Sequence, residues 1–347
     1  MVKNTRKTVI SGVVTLTFLI LVLMVVFRGQ GREIFQSLRT VPAYGLLLLL
    51  VMALCCPLME AAAGWLALRT QLPQITFWQS LEVSFLNIFG NVATLGAGSV
   101  PMQSWYLYSL GLMPGAGAGL VTICYTIQKA TVLLYSTVML LLQGRWLRKS
   151  NLSLSRYILI GYLVCALIIS ALLLLCTWGK VQELALWGIG KLPDTGKWPA
   201  RKNAWGENIE SLRTYSKSLL SDKKCCRRMV GIYAAKLCLL YAIPYRCMTL
   251  LGLSEISFWH VQLLSAVMVL ISNAIPNVGG VGPAEFAFSL LYSPYIGKVN
   301  ASTAMVLYRT ASYFVPFLAS IPFAVHLRTL ARKGTGDGKE MGGGAQT

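Results

Sequence analysis

Ionisable side chains inside apolar stretches are the first candidates for chemistry in this sequence. Each costs about 2.5–3.5 kcal/mol or more at the centre of a membrane helix unless it is paired or hydrated. A carboxylate in such a place can carry a proton or pair with a cation, and a Lys or Arg can bind phosphate. The residues concerned are Glu60, Glu82, Lys129, Lys236, Arg246, Glu285 and Arg309.

A break in an apolar run lies next to Glu285. The stretch Leu270–Tyr295 is interrupted between Pro276 and Pro283 by a glycine-rich turn. Backbone groups freed by such a break inside a membrane must be satisfied by protein or by a wet cavity, and transporters place substrates there. Backbone amides at the glycines could contact an anion. The predicted substrate-binding residues are Asn273, Pro276, Gly279, Gly280, Gly282 and Glu285.

A weaker copy of this pattern occurs near residue 100. In both copies an Asn precedes a Pro by ten positions, and the alignment adds Asn91 and places Gln103 opposite Glu285. Lys129 and Arg309 follow the two prolines by 28 and 26 residues, so each copy has one cation on the next span. Two such cations facing wet hairpins suit a phosphate-bearing substrate, which an Arg can bind bidentately.

Simpler interpretations stay open for these residues. Gly and Pro are frequent in membrane helices, so the two copies could align by chance. Arg309 could form a structural ion pair with Glu285, and Glu60 could be a proton-coupling carboxylate or the partner of a cation. For Lys236 and Arg246 we expect that the long side chains snorkel toward the ends of their spans.

Composition places the chain in the membrane. Of its 347 residues, 55% are hydrophobic and 12% are charged, against about 25% charged in soluble domains. The net charge of +19 suits anionic lipid headgroups rather than nucleic acid, because the charges lie at span ends and in one loop. No nucleotide loop, metal-ligand spacing or catalytic triad pattern occurs, so we expect no metal and no cofactor.

The apolar runs predict an all-α integral membrane protein with an inverted repeat, about six full spans and two re-entrant broken-helix hairpins, or about eight hydrophobic segments. The membrane domain would cover residues 1–330, with one repeat at 1–144 and the other at 157–330, before a disordered tail at 331–347. The predicted segments are Val9–Phe27, Tyr44–Leu68, Leu81–Leu110, Gly115–Leu142, Tyr157–Trp178, Met229–Leu251, Phe258–Tyr295 and Ala301–Leu327.

One polar region, residues 179–228, is basic and carries an amphipathic pattern. It contains apolar residues at helical spacing, which favours a helix lying on an anionic membrane surface, with a solvated linker as the alternative. Gly115 and Gly119, at the start of the preceding span, have the four-residue spacing of close helix contacts. The residues of the apolar face are Ile209, Leu212, Ser216, Leu219 and Leu220.

Charge distribution predicts the orientation. If both broken segments return to their starting side, nineteen Lys and Arg residues lie in cytoplasmic parts and eight lie in outer loops. This agrees with the excess of positive charge on the cytoplasmic side of membrane proteins. We therefore expect a multi-pass protein of the plasma membrane with both termini in the cytoplasm.

The second broken segment resembles a known family. Asn273 to Glu285, with Tyr308-Arg309 on the last span, is similar to the signature of the lysylphosphatidylglycerol synthase transmembrane family, the flippase-like membrane region of the multiple peptide resistance factor. The resemblance implies a bacterial protein that moves aminoacylated phosphatidylglycerol between leaflets and confers resistance to cationic peptides. The family's soluble aminoacyltransferase domain is not expected here, so a lysyltransferase activity is uncertain.

The leading hypothesis is a translocase for an anionic or aminoacylated phospholipid of the phosphatidylglycerol type, or for a lipid-linked phosphate. The alternatives are the membrane component of a phosphatidylglycerol lysyltransferase system, an intramembrane transferase with Glu285 or Glu60 as general base, and an accessory subunit of a lipid-modifying enzyme. Expected partners are membrane lipids and, under the last alternative, a separately encoded lipid synthase. A homo-oligomer is left open.

Overall fold

The protein consists of helices joined by short turns in the part that its computed structural model describes, namely residues 39, 41–94, 98–150, 154–180, 183, 187, 198–274 and 282–340. The predicted first span, Val9–Phe27, lies outside the described residues. The helices are α1 (Ala43–Leu68), α2 (Phe77–Ala93), α3 (Ser99–Ser109), α4 (Pro114–Ser150), α5 (Leu154–Thr177), α6 (Trp198–Ser221), α7 (Lys223–Leu250), α8 (Phe258–Ala274), α9 (Pro283–Ile296), α10 (Lys298–Arg309) and α11 (Val315–Glu340), with a π-helical turn at Thr310–Phe314 between the last two.

Four of the described helical segments are long and apolar enough to cross a membrane: Ala43–Leu68, Pro114–Leu147, Arg156–Thr177 and Lys298–Leu330. They coincide with predicted spans. The predicted span Met229–Leu251 also forms a helix, α7, but it is not one of these four. It carries Lys236 and Arg246, which lower its hydropathy. The helix α11 extends to Glu340, so part of the tail predicted to be disordered is helical.

The helices α1 and α7 pack antiparallel along their length. Near one end, a Cβ built on Gly45 would lie 2.3 Å from the side chain of Leu250. Near the other end, the Cys225 thiol of α7 lies 3.6 Å from the carbonyl of Leu66 in α1. Each helix contains an internal proline, Pro57 in α1 and Pro244 in α7. This pair forms the centre of the molecule, and a short-helix hairpin docks on each member.

The first hairpin, α2–α3, begins and ends at the same end of the molecule. Helix α6 contacts both sides of it, since Ser218 hydrogen-bonds Gln71 just before α2 at 3.3 Å, and Asn208 accepts the Gly115 N–H just after α3 at 2.8 Å. The hairpin docks on α1 through hydroxyl groups, with Ser84 donating to the carbonyl of Pro57 at 3.0 Å.

The second hairpin, α8–α9, also closes on itself, at the opposite end of α4. His260 at the start of α8 and Tyr295 at the end of α9 both stack on Trp146 of α4, at centroid distances of 3.9 and 5.1 Å. Trp146 and Gly115 are about 45 Å apart along α4 at 1.5 Å per residue. The two hairpins therefore open at opposite ends of the molecule.

The apolar core follows the same division. One cluster surrounds the α8–α9 hairpin and includes Leu264, Phe288 and Tyr308. The other surrounds the α2–α3 hairpin and includes Leu107 and Leu219. At 17 and 11 residues, α2 and α3 are roughly 25 and 16 Å long, which is shorter than a bilayer core of about 30 Å.

The amphipathic helix predicted in the basic region is confirmed as α6, but its apolar face packs on protein. Ser216 and Leu219 are fully buried. A Cβ on Gly115 would lie 2.0 Å from the carbonyl oxygen of Asn208, and one on Gly119 would lie 2.8 Å from that of Leu212. The predicted close contact at the two glycines is therefore confirmed, and its partner is α6. The placement of α6 on a membrane surface stays a prediction.

We predict that Gly115→Ala lowers the free energy of unfolding by about 1–3 kcal/mol, because the new methyl group overlaps the α6 backbone. Gly144→Ala is the matched control on the same helix, since its Cβ would have no neighbour within 4 Å. The control should be neutral or stabilise by up to about 1 kcal/mol. Thermal unfolding in detergent, monitored through the exposure of buried thiols, measures the stability of both variants. Equal melting temperatures for the two variants would contradict the contact.

Candidate functional site

A chain of polar side chains crosses the core where the first hairpin meets α1 and α7. The Lys236 amine pairs with one carboxylate oxygen of Glu60. The other oxygen accepts a hydrogen bond from the Asn87 amide at 2.8 Å, and the Asn87 carbonyl oxygen accepts one from Gln103 at 3.3 Å. Gln103 also donates to the Ser99 carbonyl at 3.0 Å. Four helices are joined by this chain.

The ion pair at the head of this chain is buried. The side chains of Lys236 and Glu60 are 8% and 17% exposed. A charge in a membrane core is tolerated when a partner or water compensates it, and here each charge has the other as its partner. The prediction that Lys236 snorkels is therefore wrong, because its amine points inward to Glu60. The interpretation of Glu60 as the partner of a cation is confirmed.

The second hairpin holds another ion pair at the start of α9. Arg309 Nε lies 2.6 Å from one oxygen of Glu285, and the other oxygen accepts the Gly282 N–H at 2.6 Å. Gly282 has a φ of +100°, which favours glycine, and the Glu285 carboxylate caps the first turn of α9. The Arg309 guanidinium also lies over the Tyr313 ring at 4.4 Å. The expected alternative, a structural pair between Arg309 and Glu285, is confirmed.

Lys129 of α4 binds the last turn of α8. Its amine donates to the Asn273 side-chain oxygen at 2.8 Å and lies 5.2 Å from the centre of the Tyr125 ring. The amide nitrogen of Asn273 is buried, and Cys165 of α5 lies beside it. Lys129 thus belongs to the first predicted repeat but contacts the hairpin of the second.

The predicted site residues fall into separate groups. Gln103 belongs to the polar chain, Lys129 contacts Asn273, and Glu285 contacts both Gly282 and Arg309. Asn91 is exposed near the end of α2. Lys129 and Arg309 lie on helices without an extended mutual interface, and each has its own polar partner. Pro276, Gly279 and Gly280 lie outside the described residues.

Sequence reasoning missed Asn87, which links the ion pair to Gln103. The available signal was its position one helical turn before Asn91. A further polar contact joins α11 to the first hairpin, since His326 Nδ1 lies 3.1 Å from the buried Glu82 carboxylate. Within the described ranges, no group of three His, Cys, Asp or Glu side chains could hold a metal ion.

The arrangement of buried charges on apolar helices is typical of membrane proteins that handle polar substrates. The sequence model of the family described as "Lysylphosphatidylglycerol synthase TM region" matches residues 9–320. The chain belongs to this family. No curated protein and no solved structure matches it.

The resemblance seen in the second broken segment is thereby confirmed, and the match includes every residue of both ion pairs. The lysylphosphatidylglycerol synthase TM region is a membrane family of lipid metabolism or transport. A member with apolar spanning helices is a multi-pass membrane protein.

We predict that Lys236→Met lowers the free energy of unfolding by about 3–5 kcal/mol, because it leaves the Glu60 carboxylate buried without its cation. The double variant Glu60→Gln with Lys236→Met removes both charges and should recover most of that loss. Thermal unfolding of the four members of this double-mutant cycle in one detergent measures the coupling. If the double variant loses as much free energy of unfolding as the two single variants together, the result would contradict a buried pair.

Proposed function

We propose that the protein moves a lipid with an anionic or aminoacylated headgroup, of the phosphatidylglycerol type or with a lipid-linked phosphate, between the leaflets of the plasma membrane. The observation that carries this proposal is the polar chain Lys236–Glu60–Asn87–Gln103 at the first hairpin. Placing polar and charged side chains in a bilayer core costs free energy, so their presence there suits the passage of a polar headgroup.

The inverted repeat proposed from the sequence has support in the geometry. The α2–α3 and α8–α9 hairpins open at opposite ends of the molecule, and α2 and α8 each have 17 residues. The two hairpins also dock in the same way, by a side-chain hydrogen bond to a backbone carbonyl. Ser84 donates to a carbonyl of α1, and Gln262 donates to the Cys238 carbonyl of α7 at 3.0 Å. Alternating access by inverted repeats with broken helices is a common transport plan.

The expected orientation is compatible with these contacts. If both termini are cytoplasmic, α4 begins on the cytoplasmic side, where α6 and the basic residues of region 179–228 would lie. The first hairpin would then open to the cytoplasm and the second to the outside. Headgroups could thus reach Gln103 from one side and Arg309 from the other.

The two cations act at different places in this proposal. Lys129 contacts the last turn of α8 and Arg309 contacts the first turn of α9, so the two cations would meet a phosphate on opposite arms of the second hairpin. The guanidinium of Arg309 suits bidentate contact with phosphate, and its pairing with Glu285 would be exchanged for that contact. Such an exchange keeps the charge compensated throughout the passage.

The test is leaflet exchange in liposomes that contain the purified protein. Labelled phosphatidylglycerol, lysyl-phosphatidylglycerol or a polyprenyl phosphate is incorporated, and an impermeant quencher reads the outer leaflet. We expect exchange of one lipid class, reduced at least tenfold by Arg309→Gln because the phosphate contact is lost. Lys298→Gln, an exposed cation on the same helix, is the matched control and should keep the wild-type rate.

Absence of exchange for all three lipids, in protein whose melting temperature shows that it is folded, would contradict the proposal. It would favour the accessory-subunit alternative, in which the chain positions a lipid-modifying enzyme. Normal exchange by Arg309→Gln would support the transport proposal but show that Arg309 does not lie on the transport path.

A further inference from the structure

A half-exposed histidine contacts a buried carboxylate where α11 packs on the first hairpin. His326 Nδ1 lies 3.1 Å from one oxygen of Glu82 in α2, and the two side chains are 50% and 7% exposed. An ionised carboxylate can only accept hydrogen bonds, so Nδ1 carries a proton whenever Glu82 is ionised. The imidazole therefore lies between the surface of the molecule and a carboxylate inside it.

The other arm of the hairpin contacts the same carboxylate. The Tyr106 hydroxyl of α3 lies beside Glu82, and Tyr106 is 2% exposed. Gln103, the last member of the polar chain, lies three residues earlier on α3, about 4.5 Å along the helix axis. Glu82 and Tyr106 are thus adjacent to the polar chain, on the side where the hairpin opens.

Aromatic packing surrounds the contact between α2 and α11. Phe323 stacks on Phe85 at a centroid distance of 4.6 Å and lies 5.9 Å from Trp78. Trp78, Glu82 and Phe85 recur at helical spacing, so the carboxylate lies on the face of α2 that docks on α11. In such apolar surroundings an ionised carboxylate needs a compensating partner, whereas a protonated one carries no charge.

The other charged groups on the neighbouring helices have different positions or partners. Glu60 of α1 pairs with Lys236, and Arg69 after the end of α1 lies over an indole ring at 4.6 Å. Arg328 follows His326 by two residues, so it projects from α11 about 200° away round the helix. The basic group that contacts the hairpin carboxylate is therefore the histidine.

We propose that Glu82 and His326 form a proton-binding site that couples proton movement to lipid movement. The coupling rests on the proposed function. With Glu82 ionised, neutral His326 donates its Nδ1 proton to the carboxylate and takes up a proton from water at Nε2. Transfer of the Nδ1 proton to Glu82 then leaves a neutral carboxylic acid and a neutral imidazole protonated at Nε2. One proton has moved from water to Glu82, and no charge remains at the contact.

A bound proton suits a substrate that carries phosphate, because an anionic headgroup that crosses with one proton carries no net charge. The span Lys298–Leu330 links this site to the second hairpin. Arg309 of that span pairs with Glu285, and it lies 17 positions before His326, about 26 Å along the helix. In this proposal the last span connects the proton site of one hairpin with the ion pair of the other.

Infrared difference spectroscopy in an ester-free detergent tests the site without transport. Acidification of wild-type protein should produce the carbonyl band of a protonated buried carboxyl group, and Glu82→Gln should remove it. His326→Gln should move the midpoint of the band to higher pH by about one unit, because the donor that favours the ionised carboxylate is lost. Glu255→Gln, which removes an exposed carboxylate, is the matched control and should keep the band.

Leaflet exchange under a pH gradient tests the coupling. Labelled phosphatidylglycerol should accumulate in the leaflet on the alkaline side, at least threefold beyond protein-free liposomes, because an anion that moves with a proton follows the proton gradient. Glu82→Gln should bring this accumulation to the protein-free value, and His326→Gln should slow it at least threefold. His260→Gln, which removes the other histidine of the chain, is the control and should keep it.

The two measurements separate this inference from the proposed function. A carboxyl band that Glu82→Gln removes, without lipid exchange under any condition, would support the proton site and contradict transport. Exchange by wild-type protein that does not respond to the gradient would overturn the coupling while keeping transport. A band unchanged in folded Glu82→Gln protein would overturn the site itself. Accumulation that is lost in His260→Gln and kept in His326→Gln would also overturn it.

Discussion

The fold depends on one buried ion pair. Glu60 and Lys236 lie near the middle of α1 and α7, the antiparallel helices at the centre of the molecule. In an apolar environment neither charge is tolerable without the other, so the pair holds these two helices in one register. Glu60 then accepts the Asn87 amide, which fixes the first hairpin against the same point. The constraint that stabilises the centre thus also builds the polar chain at the proposed lipid path.

The two hairpins dock by the same kind of hydrogen bond, but they meet different ion pairs. Each docks short helices on a long helix through side-chain hydrogen bonds to backbone carbonyls, which suits a medium without water. The first hairpin meets a buried ion pair from other helices. The second carries its own, in which Glu285 both caps α9 and holds Arg309. The two hairpins therefore differ in where their charged groups come from.

For helix α6 the structure showed what the sequence did not, namely what its apolar face contacts. Its amphipathic pattern predicted a helix, but an apolar face reads the same whether it will contact lipid or protein. The tertiary structure decided the matter through Gly115 and Gly119, whose missing side chains let α6 approach the α4 backbone. The same approach formed an apolar groove lined by Trp105 and Trp205, which no sequence pattern indicated.

The sequence by itself determined the membrane class, the broken segments and the family, because apolar run length, glycine and proline act locally. It also determined which charges are costly, since an ionisable residue in an apolar run is visible without a fold. Only the tertiary structure decided their partners. Lys236 paired with Glu60 across 176 positions and Lys129 with Asn273 across 144, and contacts between distant segments depend on how whole helices pack.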